Sequence, residues 1–350
     1  MGKKKMNKTI VYEEFKILLR TNDVELVNGL INEYKYHLKF IEDIPEEKII
    51  TINVFKSPKM YIKYFKEIKR GNRKSSLYCE VRRDNILVMD KEKLEIFIIY
   101  DEFNDEKLQY VGEIIFGIFG KQLEDNGYFF LHAACVSKKG NGILILENNP
   151  RKRIIILLKL LMEKFDFVCC THIGIKANNG RLNAISIPTR LGINIGEIYS
   201  GVFSEKNIEV IENVEEFKDN FCNINEDILQ TKYYDRKFNI KIDEIKTKLN
   251  NDLVYKTDIK LILEVNKKNI SSKSRMIEMK KEELLETFMK NRRNGIYDSV
   301  SYLKNLFSQK NKRNDINIIS NFANIVGYKF YQSNKEDIEY LIKVVRNFIE

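Results

Sequence analysis

Apolar and polar residues follow two different spacings in the first third of the chain. In residues 8–40 the apolar positions recur at intervals of three and four, which predicts an amphipathic helix. From about residue 48 to 112, short alternating runs lie between turns of Gly, Asn, Asp and Lys, a pattern typical of β-strands. The runs are Ile49–Val54, Leu77–Val81, Ile86–Met89 and Glu95–Ile99. The pattern therefore predicts a β-rich N-terminal module, followed by a helix at Gln109–Leu123.

The central part of the chain alternates strands with helices instead. Two apolar strands are predicted at Phe129–Ser137 and Gly142–Leu146, joined by a tight turn. The segment Ile154–Phe165 is apolar on every side, so we expect a helix buried in the core. Further strands are predicted at Phe167–Cys170, Ala184–Thr189 and Val202–Ile211.

The last third mixes both kinds of element. It opens with an apolar strand at Ile259–Val265 and a helix at Lys280–Asn291, and after a further helix it closes with a strand at Tyr328–Tyr331 and a helix at Lys335–Phe348. Such a sequence of elements is typical of the α/β class. We divide it into an N-terminal helix plus β-rich module at residues 1–125, and a core of mixed sheet and helices with a helical C-terminal part at residues 126–350.

Composition narrows the class of protein. The chain has 350 residues, of which 43% are hydrophobic, enough for a sizeable core. No stretch approaches the roughly 18 apolar residues of a membrane span, and the Gly-Lys-Lys-Lys start lacks the apolar region of a signal peptide. The five cysteines are odd in number and not spaced as a disulfide framework. We therefore expect a cytoplasmic protein with reduced thiols and no contact with a membrane.

Charge alone does not predict a nucleic-acid partner. The formal net charge is +10, but 50 acidic residues are interleaved with the 60 basic ones. Most of the 18 Tyr and 21 Phe fall on apolar positions, which favours core packing over base stacking. The densest basic runs are Lys3–Lys5, Lys66–Lys74 and Arg292–Arg313. We interpret them as solvated faces, and a docking surface for an acidic partner or nucleic acid is the alternative.

The segment after Gly142–Leu146 has the order of a phosphate-binding Walker A unit, namely strand, polar turn and helix. Its chemistry differs. A Walker A loop uses glycines to turn backbone N–H groups onto phosphates, a Lys for the β/γ oxygens and a Ser/Thr for Mg²⁺. The turn here, Glu147–Arg153, contains no glycine, and Ile154 stands where the hydroxyl would be. Pro150 also lacks a donor N–H.

Two interpretations of this turn remain open. Cations beside a helix N-terminus attract anions, so a nucleotide or another anion has candidate ligands here. They are Asn148, Asn149, Arg151, Lys152 and Arg153. The simpler interpretation is an ordinary helix start, with Asn149 as N-cap and Pro150 as the first helical residue, in which the cations face water.

Cysteine and histidine residues lie on strands that we expect to be neighbours, which raises the hypotheses of a soft-metal site or a thiol nucleophile. These residues are His132, Cys135, Cys169, Cys170 and His172. Consecutive cysteines on a strand point to opposite faces, so at most one of Cys169 and Cys170 joins a shared site. We therefore favour buried, inert cysteines, no metal, and a hydrogen-bonded core histidine at position 132.

The order of these motifs resembles the HPr kinase/phosphorylase-like P-loop proteins. The matching segments are the His-Ala strand Leu131–Ser137, the strand Gly142–Leu146, the loop and helix that follow, and the strand end Phe165–Cys170. Small kinases encoded with ribosomally made peptide natural products are similar and also carry a β-rich N-terminal module. The resemblance implies an HPr-kinase-like P-loop core at 126–350, with a peptide or protein as the partner.

Transferred position by position, the family pattern is largely lost. Arg153 falls at the Walker A lysine, Glu147 at the first glycine, and Cys170 with Thr171 at the acidic pair that would hold Mg²⁺. Only His132 matches, as a vestigial catalytic candidate. Because phosphoryl transfer depends on positioning and charge neutralisation, we expect a catalytically degenerate kinase fold without a cofactor. Its partner would be a precursor peptide or a modifying enzyme, and its role that of an accessory factor in modification of ribosomally synthesised peptides.

Two other functions stay open. An active kinase of this family would place Lys152 or Arg153 on ATP, recruit Mg²⁺ ligands from elsewhere in the chain, and phosphorylate a peptide Ser or Thr. A basic nucleic-acid-binding protein is the weaker alternative, and we do not expect it. Oligomeric state is left open by the sequence.

Overall fold

The computed structural model describes most of the chain in twelve stretches. They are residues 5–45, 47, 49–60, 77–82, 85–90, 92–147, 150–199, 205–225, 236–267, 276–293, 325–332 and 335–349. Of these residues, those up to Asp125 belong to one compact unit, and those from Asn126 onwards belong to a second.

The first unit is built on a seven-stranded mixed sheet. Its strands are β1 (Met6–Tyr12), β2 (Phe15–Thr21), β3 (Lys39–Ile41), β4 (Ile50–Lys56), β5 (Leu77–Arg82), β6 (Asn85–Asp90) and β7 (Glu95–Tyr100). They pair in the order β3-β1-β2-β4-β7-β6-β5, with β2, β4 and β7 parallel and the other neighbours antiparallel. The β-rich character predicted for residues 48–112 is confirmed.

Two helices, α1 (Val24–Tyr34) and α2 (Asp105–Asp125), accompany this sheet. The Phe116 ring of α2 lies edge-on to Tyr34 of α1, with ring centroids 5.1 Å apart. Asp23 caps α1 by accepting hydrogen bonds from the backbone N–H groups of the first turn, and it also accepts one from the Tyr100 hydroxyl at 2.9 Å. Burial and this carboxylate raise the pKa of Tyr100. The predicted helix at Gln109–Leu123 is thus confirmed, with an earlier start.

The helix predicted for residues 8–40 is wrong in its first half. Residues 6–21 form the β1–β2 hairpin, and only α1 is helical. The apolar spacing predicted a helix because β2 is a central strand that buries both of its faces. Ile17, Leu18 and Leu19 are therefore all buried. On such a strand, neighbouring residues can both be apolar. Apolar residues further along the chain then lie three residues from one of them and four from the other, which is the spacing of a helix.

The second unit contains a larger mixed sheet and several helices. Its main strands are β8 (Phe129–Lys138), β9 (Asn141–Glu147), β10 (Asp166–Cys169), β11 (His172–Asn178), β12 (Arg181–Ser186), β15 (Lys256–Lys267), β16 (Met276–Glu278), β17 (Arg292–Arg293) and β18 (Val326–Gln332). A separate pair is formed by β13 (Leu191–Asn194) and β14 (Lys237–Ile240). The helices are α3 (Pro150–Met162), α4 (Ile195–Tyr199), α5 (Glu205–Glu212), α6 (Glu215–Phe221), α7 (Ile242–Thr247), α8 (Lys281–Lys290) and α9 (Lys335–Ile349).

Strand pairing in the second unit closes on itself. β8 pairs with β9 and β11, β9 pairs with β15, and β15 returns through β12 to β11. Alternating residues of β9 therefore belong to two different cores. Ile143 and Ile145 pack with α3, whereas Leu144 and Leu146 pack with the side that carries Phe288 of α8.

Most predicted elements of the second unit are confirmed, and the α/β class with it. The predicted apolar helix begins at Pro150 and ends at Met162, and its residues 154–158 are all at least nine-tenths buried. The strand predicted at Val202–Ile211 is wrong, since α5 is a helix that buries Ile211 on one side. The helix predicted between Asn291 and Tyr328 lies outside the described residues.

Candidate functional site

The turn between β9 and α3 is the segment at which the sequence resemblance places the Walker A loop. β9 ends at Glu147 and α3 begins at Pro150, the residue predicted to be the first of the helix. Asn148 and Asn149, two of the anion candidates, lie outside the described residues. For Arg151 and Lys152 the structure describes only a helical backbone, so Arg153 is the one candidate of the turn whose side chain can be placed.

Arg153 points into the protein. Its side chain is 2% exposed. Its Nη2 donates to Nε2 of His132 at 3.1 Å, and its Nη1 lies 3.4 Å from the backbone carbonyl oxygen of the same residue. The expectation that the cations of this turn face water is therefore wrong for Arg153. At this point of the first helical turn the chain passes over β8, and the guanidinium finds hydrogen-bond acceptors there.

His132 lies between two guanidinium groups. Arg293 of β17 places its Nη2 3.4 Å from Nδ1 of His132, the ring nitrogen that Arg153 does not contact. A guanidinium only donates, and a given tautomer of neutral imidazole has one acceptor nitrogen, so that tautomer accepts from only one of these two groups. The shorter one, from Arg153, assigns the acceptor to Nε2 and the proton to Nδ1. His132 is hydrogen-bonded as predicted, but it is half-buried and does not belong to the core.

A second histidine adjoins the first. His172 is the register partner of His132 across β8 and β11, and the two rings lie 5.8 Å apart. Burial first, and then the positive charges of Arg153 and Arg293, lower the pKa of His172 from 6.5 to about 4. His172 is therefore neutral at neutral pH. The cluster of these four side chains, called the His–Arg cluster below, consists of two imidazoles and two guanidinium groups.

A thiol and hydroxyls lie where the sequence resemblance places the acidic pair. The Cys170 side chain is fully buried, and its Sγ lies 3.1 Å from Oγ1 of Thr189 and 3.3 Å from Oγ1 of Thr171. Thr171 also accepts a backbone hydrogen bond from Ala133 of β8 at 3.0 Å. Sulfur and hydroxyl groups are weak ligands for Mg²⁺, which prefers carboxylate and phosphate oxygens.

The cysteines of these strands are buried on two sides of the sheet. Cys135 and Cys169 are register partners of β8 and β10 and belong to one core, whereas Cys170 belongs to the other. The predicted opposite orientation of Cys169 and Cys170 is confirmed. Burial raises the pKa of the Cys135 thiol and of the Cys169 thiol, so both stay protonated and unreactive at neutral pH. Among the described residues, no group of three or more His, Cys, Asp or Glu side chains is arranged to hold a metal ion.

Arg293 is the residue of this site that the sequence did not single out. It belongs to the basic run Arg292–Arg313, most of which lies outside the described residues, as does nearly all of the two other basic runs. Its side chain is exposed, as the interpretation of the run as a solvated face predicts. It reaches His132 because β17 pairs with β8, and Asn291 just before it accepts the backbone N–H of His132 at 2.8 Å. A two-residue strand carries no periodic signal, so nothing in the sequence indicates this contact.

Comparison with known proteins adds little to this picture. No family model and no curated protein sequence matches the chain. The solved structure of the Hpr(Ser) kinase/phosphatase from Coxiella burnetii covers 62% of this chain and 88% of its own, with 11% identity and a TM-score of 0.28. In the part of the chain that the structure describes, no helix is long and apolar enough to cross a membrane.

Proposed function

We propose that this protein is a catalytically degenerate member of the HPr kinase-like fold that acts by binding a peptide or protein. The observation that carries the proposal is the direction of Arg153. The residue at the Walker A lysine position is buried and bonded to His132 of β8, in place of lying over the loop where phosphates would be.

Loss of transfer activity follows from the physical requirements of the reaction. Phosphoryl transfer needs cations and Mg²⁺ to neutralise the transferred group and a carboxylate to orient the acceptor hydroxyl. Arg153 is committed to the fold, and the acidic pair is replaced by Cys170 and Thr171. Both halves of the machinery are therefore missing, while the strands and the helix around them are kept.

The partner class comes from the resemblance of the sequence to small kinases of peptide natural product clusters. A precursor peptide or a modifying enzyme is the partner that this resemblance favours, and the protein would serve as an accessory factor in modification of the peptide. Arg293 adds a chemical preference. Its guanidinium is exposed beside the half-buried His132 and forms no ion pair with any described residue, so an acidic side chain of the partner fits there.

The first test measures nucleotide binding and transfer. Calorimetric titration with Mg·ATP is expected to show no binding, and γ-labelled ATP to leave no label on peptide substrates. A rise of several degrees in melting temperature with Mg·ATP would contradict the proposal and favour the active kinase. The Arg153→Lys variant sharpens the result, because it restores the residue type of a Walker A loop.

The second test measures the partner. A short precursor peptide encoded beside this gene is expected to bind without being phosphorylated, as judged by its unchanged mass. Arg293→Glu should weaken binding about tenfold, since it reverses the charge that faces the partner. Lys139→Glu, an exposed charge reversal in the β8–β9 turn, is the matched control and should leave the affinity unchanged. Equal affinity for a scrambled peptide of the same composition would count against a specific partner.

A further inference from the structure

A pocket of about 360 Å³ lies at the C-terminal half of α3, away from the His–Arg cluster. It is bounded by α3, by α5 and by the segment that follows α7. Its apolar walls are formed by Leu158, Leu161, Met162, Val210, Ile211 and Leu249.

The size of this pocket is that of a ligand site. Protein cores contain few voids larger than one water molecule. The volume of this pocket falls within the range of about 300–1,000 Å³ that is typical of ligand pockets. Leu158 and Leu161 form a buried floor, each 1% exposed, whereas Met162 and Val210 are half-buried at the opening. The pocket therefore opens to solvent and displays apolar surface there.

Among the described residues, three polar ones also line the pocket. Lys164 and Glu209 have exposed side chains of opposite charge. Asn251 is buried, and its Nδ2 donates to the carbonyl oxygens of Leu161 at 2.7 Å and Phe165 at 3.0 Å. Both amide hydrogens of Asn251 are thus in use, which leaves Oδ1, a hydrogen-bond acceptor, as the side-chain atom available to a ligand.

We infer that this pocket binds an apolar side chain, aromatic or leucine, of a polypeptide partner. A peptide presents an apolar side chain flanked by amide N–H groups, which suit the Asn251 acceptor, and by charges of either sign, which suit Lys164 and Glu209. A fatty acid or a nucleic acid carries only negative charge, so it can pair with Lys164 but is repelled by Glu209, whereas a peptide can present a charge to each of them. Burial of one large apolar side chain in a pocket of this kind is the usual anchor of a protein interface.

This inference rests on the proposed function, because it names a docking site for the peptide partner. The two are separable in space and by experiment. α3 runs about 18 Å from Pro150 to Met162, at 1.5 Å per residue, so the pocket and the His–Arg cluster lie at opposite ends of the helix. Binding of Mg·ATP would refute the proposed lack of catalysis and leave the pocket untouched. Failure of the pocket to bind peptides would refute only the inference made here.

The absence of tryptophan from the chain provides the assay. Titration of the full-length protein into acetyl-Gly-Trp-Gly-amide, with excitation of the indole, is expected to give a saturable blue shift of the peptide emission as the ring enters the apolar pocket. Acetyl-Gly-Leu-Gly-amide should compete, and acetyl-Gly-Ser-Gly-amide should not. No saturable shift, or equal competition by the serine peptide, overturns the inference.

A pair of variants locates the binding. Val210→Arg places a long charged side chain at the opening and should weaken binding of the tryptophan peptide by at least about tenfold. Asp219→Arg, an exposed position on α6, is the matched control and should change the affinity by less than about twofold. Circular dichroism melting of both variants shows that they are folded. Unchanged affinity in Val210→Arg overturns the inference, and so does octanoate if it binds more tightly than the peptides, because that result assigns the pocket to a lipid.

Discussion

The two ends of α3 are each attached to their surroundings by a buried polar side chain, but they offer different chemistry to a ligand. At the N-terminal end, Arg153 of the helix itself donates to His132 of β8. At the C-terminal end, Asn251 from the segment after α7 donates to the carbonyl oxygens of Leu161 and Phe165. Beside them, Arg293 is an exposed cation at one end, and an apolar pocket lies at the other.

The difference separates residues that hold the fold from residues that are free to recognise a partner. Hydrogen bonds within the protein offset the desolvation free energy of a buried polar side chain, and its partners lose those bonds when it is removed. Its removal therefore lowers the free energy of unfolding. An exposed guanidinium or an open apolar wall can interact with a ligand and contributes little to folding. Its removal therefore changes binding and leaves the free energy of unfolding nearly constant. At the N-terminal end of α3 the residue available to a partner is therefore Arg293 and not Arg153.

The largest expected effect is that of Arg153→Met, which keeps much of the side-chain volume and removes the charge and both hydrogen-bonding contacts. We expect the free energy of unfolding to fall by about 3 kcal/mol, because the His132 nitrogen and carbonyl lose their donor. Denaturant unfolding followed by tyrosine fluorescence measures it. Arg181→Met, which removes an exposed guanidinium 3.4 Å from Asp258, is the control and should cost less than about 1 kcal/mol. Equal losses in the two variants would show that Arg153 is not a structural residue.

At the other end of α3, Asn251→Leu is expected to cost about 2 kcal/mol, since the Phe165 and Leu161 carbonyl oxygens lose the Asn251 donor while the volume is kept, and the Leu161 oxygen retains the backbone N–H of Lys164. The chain offers a close control. Asn220 donates to the Glu216 carbonyl at 2.7 Å in the same way, but on an exposed helix, so Asn220→Leu should cost less than about 0.5 kcal/mol. The same unfolding measurement compares them. A cost for Asn251→Leu as small as that of the control would remove the proposed attachment of the helix end.

The smallest expected effect concerns pH at the His–Arg cluster. The pKa of His172 is lowered from 6.5 to about 4, so the folded state binds the proton more weakly than the unfolded state. This contribution to stability is fully present above pH 6.5 and is lost as the pH falls towards 4. Allowing for the partial exposure of the ring, we expect a loss of about 1–2 kcal/mol.

The measurement is the difference in unfolding free energy between the natural protein and His172→Phe across this pH range. His37 has a pKa lowered to about 4 by burial as well, but it is present in both proteins and cancels in the difference. A difference that stays constant from pH 7 to pH 4 would mean that His172 is not held neutral. The cluster would then lack the electrostatic environment that distinguishes it from the opposite end of α3.

Elements that depend on neighbouring residues could be predicted from the sequence, and contacts between distant segments could not. Ile154–Leu158 could be assigned to a buried helix because a helix that is apolar on every side is stable only when it is buried in the core. The β1–β2 hairpin could not be distinguished from a helix, since burial of Leu18 and Leu19 on opposite faces depends on a sheet whose other strands lie elsewhere in the chain. For the candidate site, the sequence singled out His132 and Arg153 separately. Their hydrogen bond needs β8 and the start of α3 to lie side by side.

By itself, the sequence determined which chemistry is missing: no glycine in the turn after β9, no hydroxyl at Ile154 and no carboxylate at Cys170. Those are statements about residue type at a given place in a motif, and they need no coordinates. Only the tertiary structure decided where the cations go. Arg153 lies 21 residues from His132 and Arg293 lies 161 residues from it, and both meet the same imidazole. Such contacts arise when strands that are distant in the chain pair with each other. The spacing of residues along the sequence does not indicate them.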